Sequence, residues 1–181
     1  MTGYDLKRYF DASVRHFWSA DQAAIYRTLT DLDREQLVAH ERVAQSTRPD
    51  RKVFHLTDAG RDALDAWLAT PAPAVLRREP LLVKLFFAGR VSPDALRGVL
   101  EAELASVEGE LAGFREIVAS IEADPGTSDE ATLMGPLVTL TNGVVLAIAQ
   151  RDWLRGLLEK QRSGTLTVST LFTELRGDLV D

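Results

Sequence analysis

Gln22, Tyr26 and Arg27, followed by Arg48, Arg51 and Lys52, are the residues whose types and spacing suit a chemical task, and that task is recognition of a polyanion. An amide or guanidinium can address a base edge with paired hydrogen bonds, while cations on a projecting turn neutralise phosphates. No catalytic set competes. His16, His40 and His55 lack metal-ligand spacing, no glycine-rich phosphate loop occurs, and the carboxylates are dispersed along helix faces. The expectation is therefore no enzyme, no metal and no cofactor.

The elements that must hold these residues follow from the local pattern. Ser19 with Gln22 has the spacing of a capping box, and Ile25, Leu29 and Leu32 make the buried stripe of the helix that follows. Its opposite face carries Ala23, Arg27, Thr30 and Arg34, with Gln22 and Tyr26 on the flank. Such a face, small and cationic near its N-terminus, suits a helix that enters a DNA groove. Asp21 beside it opposes phosphate unless it accepts from a cytosine amino group; first-turn support of the helix dipole is the simpler role. Leu37 to Gln45 and Lys52 to Leu56 read as strands around the turn Ser46 to Arg51, so Arg48, Arg51 and Lys52 belong to a basic hairpin. Ser19, Lys7 and Tyr26 join the hairpin cations as phosphate-positioning residues, and Gln22 and Arg27 are the base-contact candidates.

Two more helices frame this unit. Thr2 and Asp5 have capping-box spacing ahead of the stripe Leu6, Phe10, Val14. Thr57 opens a helix whose Leu64, Trp67 and Leu68 are expected to pack on the hairpin and the groove helix, with Trp18 and Trp67 as core anchors. Thr70 to Pro80, with its prolines, breaks the chain there. The expected organisation is a winged helix-turn-helix domain over 1–70, a linker over 71–80, a helical dimerisation domain over 81–162, and a tail over 163–181 able to form a short helix. The fold class is mainly α with a small β-hairpin.

The sequence resembles the PadR family of bacterial transcriptional regulators. The matching segments are Thr2-Gly3-Tyr4-Asp5-Leu6, Phe17-Trp18, Ile25-Tyr26-Arg27-Thr28-Leu29, Leu37-Val38, Arg48-Pro49-Asp50-Arg51-Lys52-Val53-Phe54 and Leu56-Thr57-Asp58-Ala59-Gly60. A looser likeness to members with a long C-terminal domain continues to Leu158. The resemblance implies a dimeric regulator, usually a repressor, that binds double-stranded DNA and in some relatives lets go on binding a small aromatic or drug-like compound. One departure stands out: such proteins carry a full helix before the Gly-Tyr-Asp-Leu segment, and here Met1 comes first. The expectation is an upstream start or a substitute segment, for which the tail stripe Val168, Leu171, Leu175, Leu179 is the candidate. A winged-helix module that pairs with protein and binds no DNA is the alternative reading.

Composition agrees. The chain has 181 residues, 45% of them hydrophobic, enough for a sizeable core, and no cysteine, which suits a reducing cytoplasm. Its net charge of −6 lies mainly beyond residue 70: positions 1–70 hold ten Lys/Arg against eleven Asp/Glu, a net −1, leaving −5 for the remainder. No signal peptide is expected. Leu133 to Ala149 is apolar but short for a membrane span and interrupted by Gly, Pro and Asn, so a buried helix is expected there.

In the second half, Leu82 to Ala88 reads as a short apolar helix and Ser92-Pro93 as the start of a long one. Leu100, Leu104, Val107, Leu111, Phe114, Val118 and Ile121 form a heptad-like seam, with Glu101, Glu103, Glu108 and Glu110 off it. Asp124-Pro125-Gly126 ends that helix, and Ser128 or Asp129 begins another that is apolar on nearly every side. The seam is expected to make a homodimer. Phe86, Phe87 and Trp153 are expected to line an apolar pocket for an aromatic effector, against the plainer role of core aromatics.

Overall fold

The computed structural model describes residues 1–14, 17–44, 51–73, 78–123 and 130–179, which fall into two compact units, Met1–Leu76 and Arg77–Asp181. The expected hairpin tip with Arg48, His16, and the turn between the two long helices lie outside the described residues.

In the first unit the order is α1 (Gly3–Ser13), α2 (Gln22–Arg34), β1 (Val38–Val43), β2 (Arg51–Leu56) and α3 (Asp58–Leu68). α1 begins with the expected capping box: Asp5 N–H donates to Thr2 Oγ1 at 3.1 Å, and Thr2 N–H donates to the Asp5 carboxylate at 2.9 Å. α2 begins later than expected. Asp21, not Ser19, is its cap, with the carboxylate accepting from Ala24 N–H at 2.7 Å. A carboxylate in the β region three residues before that amide outcompetes a more distant hydroxyl. Ile25 and Leu29 are buried, and Leu32 is half-buried.

β1 and β2 pair antiparallel, with Val38 opposite Leu56, His40 opposite Phe54, Arg42 opposite Lys52 and Val43 opposite Arg51. Arg51 thus belongs to the strand rather than the turn. Met1 pairs with the outer edge of β2 through two 2.8 Å hydrogen bonds with Phe54. The step from α2 to β1 is made by Gln36 at φ 60°. Immediately after it, Leu37 O accepts from Thr57 N–H at 3.1 Å, and the Thr57 hydroxyl lies within reach of Gln36 O and Leu37 O while accepting from Gly60 N–H. The expected packing of α3 is not found. Leu64, Trp67 and Leu68 are 43, 70 and 64% exposed, and Trp18 is 63% exposed, so neither tryptophan anchors the core. It is the N-terminal turn of α3 that packs, through Gly60, while the apolar stripe beyond it points into solvent.

The second unit holds α4 (Pro80–Phe86), a 3-10 turn (Ala88–Arg90), α5 (Pro93–Ala123), α6 (Glu130–Arg162) and α7 (Val168–Asp178). Gln150 Nε2 donates to Glu103 at 3.2 Å and Arg155 pairs with Glu108 at 2.6 Å, while Gln161 donates to Pro93 O. Partners near the start of α5 lie near the end of α6, so the pair is antiparallel. The expected seam closes within the chain. Leu100, Val107, Leu111 and Phe114 are buried with Leu140, Ala147, Leu154 and Leu158 of α6, and Leu104 packs on them. Beyond Phe114 the stripe drifts around the helix, so Ile117 packs inward while Val118 is 38% exposed and Ile121 is half-buried. That drift is what a 3.6-residue turn does to a 3.5-residue repeat. Leu100 to Phe114 are thus occupied by α6 of the same chain.

Within α6, Thr132–Arg162 is long and apolar enough to cross a membrane by composition, yet it buries only its α5-facing side. Met134, Val138 and Val145 lie on the opposite side, with Leu137 and Ile148 on the flank, and all five are exposed, which corrects the expectation of a wholly buried helix.

An ideal Cβ at Gly60 would sit 1.9 Å from the Leu37 carbonyl oxygen. Because the obstacle is backbone, Gly60→Ala should destabilise the first unit by about 1 to 3 kcal/mol or more, read by thermal melting; an unchanged melting temperature would show that the joint is slack.

Candidate nucleic-acid interface

The exposed side of α2 presents Ala23, Tyr26, Arg27, Thr30 and Asp31 around a shallow concavity. Ser19 is exposed ahead of the helix and Gln22 is its first residue. Tyr26 is 42% exposed, with its ring lying over Gly3. Asp21 is committed to Ala24 N–H as the cap that precedes the first turn, and this capping role accounts for its presence beside the cations.

Pairing separates the cations. In the first unit Lys7 is bound to Asp11, Arg34 to Asp31 at 3.0 Å and Arg61 to Asp58 at 3.4 Å. Arg8, Arg27, Arg42, Arg51 and Lys52 make no ion pair with another described residue, and four of these five lie on α2 and the hairpin. Arg42 was not among the expected contacts. It stands directly opposite Lys52, a like-charge pair that costs stability across a ladder unless an anion relieves it. The sequence conceals this, because the register that opposes the two residues exists only once the hairpin has paired.

The hairpin is fixed to α2 by more than the contacts at Leu37. His40 Nδ1 lies 3.0 Å from Asp33 Oδ1 in the last turn of α2, and its ring tilts against Phe54 at 5.6 Å. At the other end, the Thr2 N–H and then the Thr2 hydroxyl hold the Asp5 carboxyl below its ordinary value of 3.8, against some desolvation, with Arg51 and the chain's amino group acting in the same sense. Arg51 is therefore within electrostatic reach of the α1 cap.

Of the expected dimer-seam residues, Leu100 to Phe114 pack against α6, while Val118 is exposed and Ile121 half-buried. Phe86 and Phe87 meet edge to face at 5.1 Å and are 83 and 57% exposed, and Trp153 is 43% exposed. All three are thus exposed on the second unit of the single chain. Among the described residues no group of His, Asp and Glu could hold a metal ion.

A capped helix with unpaired cations, followed by a two-stranded basic wing and a third helix, defines a winged-helix DNA-binding protein. The comparisons give the family. Residues 1–66 match the transcriptional regulator PadR-like family and residues 77–161 match the virulence activator alpha C-terminal family. A probable transcriptional regulator of Mycobacterium tuberculosis is 35% identical over 168 residues, covering 87% of this chain and 88% of that protein. The negative transcriptional regulator PadR of Bacillus subtilis is 26% identical over 164 residues, covering 87 and 88%. Among solved structures, the virulence activator AphA of Vibrio cholerae superposes with a TM-score of 0.68 at 26% identity over 90% of each chain. Bacillus subtilis PadR in complex with operator DNA gives 0.75 at 23% identity over 89 and 91%, a likeness of fold. The chain belongs to the PadR-like family: it is a DNA-binding transcriptional regulator and not an enzyme.

Each unpaired cation that neutralises a phosphate should contribute about one to the slope of log affinity against log salt. Arg42→Ala and Lys52→Ala should each flatten that slope by about one, and Lys7→Ala should leave it nearly unchanged because Asp11 already compensates it. Equal effects of all three, by fluorescence anisotropy over a salt series, would remove the distinction between paired and unpaired cations.

Proposed function

We propose that this chain represses transcription as a homodimer, placing α2 of each copy in the major groove of a pseudo-palindromic operator and the wing along the flanking backbone. The observation that carries this reading is the collection of unpaired cations on α2 and the hairpin of an otherwise acidic chain. Gln22 and Arg27 are the base-reading residues; Tyr26, Ser19, Arg42, Arg48, Arg51 and Lys52 position phosphates. A base contact by Arg27 is worth about 1 to 3 kcal/mol of specificity. The relatives support the same view: one is named a negative regulator, and its structure has been solved with operator DNA and with p-coumaric acid. Release by a small phenolic or drug-like compound is proposed on that ground, with Phe86, Phe87 and Trp153 as the aromatic surface available to it. The protein acts in the cytoplasm, on the nucleoid.

The dimer is proposed to form on the outward face of α6 rather than on the α5 seam. Met134, Val138 and Val145 repeat along one side, and an exposed apolar stripe of that length is unusual on a monomer. A second copy supplies the cover.

Two experiments bear on this reading. Duplex from upstream of the protein's own gene should bind tightly at low salt and more weakly as salt rises, with Arg27→Ala losing more on that duplex than on random sequence; no binding at low salt would refute DNA recognition. Val145→Glu should leave helix content intact and give monomers in sedimentation, whereas Leu111→Glu, which buries a charge against α6, should cost several kcal/mol and unfold the second unit. A Val145→Glu dimer would place the contact elsewhere.

A further inference from the structure

Gly3 has no backbone reason to be glycine. It is the first residue of α1, and its φ is not in the left-handed region; among the described glycines only Gly164 is. In a helix, alanine is preferred to glycine by about 1 kcal/mol, so a side chain there would ordinarily be favourable. What excludes it is one neighbour. An ideal Cβ on Gly3 would lie 2.7 Å from Cε1, 2.8 Å from Cζ and 3.2 Å from Cδ1 of Tyr26, and these are its three nearest atoms.

We propose that Gly3 is a positioning residue for DNA recognition: the bare first turn of α1 is the seat of the Tyr26 phenol and holds it at the groove-facing side of α2. This rests on the reading of α2 as the recognition helix. Tyr26 borders the same concavity as Ala23, Arg27 and Thr30, so displacing its ring alters the surface that meets DNA. The seat is itself fixed. Thr2 is buried and locked to Asp5 in the capping box, and Met1 is bonded to Phe54 of β2, so residues 1–5 tie the recognition helix to the wing.

The obstacle at Gly3 differs in kind from that at Gly60. At Gly60 a methyl meets backbone, and the fold must give. At Gly3 it meets the far end of a side chain that is 42% exposed, so the ring can swing away and the fold can survive. The consequence of a methyl at position 3 is therefore a misplaced phenol.

The test is a double-mutant cycle on the full chain, with affinity for the upstream duplex and for random duplex measured for the unaltered protein, Gly3→Ala, Tyr26→Ala and the double variant. Gly3→Ala should weaken upstream-duplex binding about three- to tenfold, the worth of one hydrogen-bonding contact, with little change in helix content or melting. In the Tyr26→Ala background the same change should weaken binding by less than about twofold, because coupled positions are not additive. Fluorotyrosine NMR gives an independent reading: the chain has three tyrosines, and the line assigned to Tyr26 by its loss in Tyr26→Phe should move in Gly3→Ala. Unchanged affinity in Gly3→Ala, or the same loss in both backgrounds, would overturn the proposal while leaving DNA binding intact. If Gly3→Ala unfolds the unit, Tyr26→Ala must restore folding, and failure to restore it would likewise overturn the proposal. Failure of the unaltered protein to bind the duplex would overturn the DNA reading itself and this inference with it.

Discussion

The Leu37 carbonyl is the point on which the DNA-binding unit depends. Gln36 turns the chain out of α2 through a left-handed residue, and the next carbonyl accepts from Thr57 at the start of α3. Gly60 is then close enough that a methyl would overlap that oxygen. One joint thus sets three directions at once: the end of α2, the departure of β1 and the return of β2 into α3. Without it, the wing cations would have no fixed relation to Arg27. The His40 to Asp33 contact and the Met1 to Phe54 pairing brace the same hairpin from its two sides.

The second unit answers a different constraint. α5 has one apolar stripe and α6 has two, so a two-helix pair can satisfy α5 and only half of α6. Burial of the stripe from Leu100 to Phe114 against α6 is what joins the pair within the chain. The surplus stripe on α6 is then available for association, which fits a family whose members act as dimers.

Periodicity and cap chemistry made most of the architecture legible. The Thr2 to Asp5 box, the Ile25 and Leu29 stripe, the hairpin and the α5 seam all follow from short-range spacing, which is local physics. Other features depend on contacts between elements and were not legible. Leu64, Trp67 and Leu68 have a core stripe's spacing, yet no other part of the described first unit covers them. The seam holds from Leu100 to Phe114 but not at Val118 and Ile121, and a heptad does not state whether the facing helix belongs to the same chain. Among the proposed contacts, the exposure of Arg27 on α2 is readable from helix phase, whereas the place of Arg42 opposite Lys52 required the strand register and the pairing of Lys7 with Asp11 required side-chain placement. Ser19 was misassigned as the cap because α2 begins at Gln22, so that the residue just before it, Asp21, takes that place.

The central claim is that two copies of α2 read the operator together. Hydroxyl-radical footprinting of the upstream duplex tests it most directly. The account predicts two symmetric protected half-sites whose centres lie about one helical turn, roughly 34 to 36 Å, or a multiple of it apart, with protection lost at both half-sites in Arg27→Ala. A single asymmetric footprint, or protection indifferent to Arg27, would contradict it.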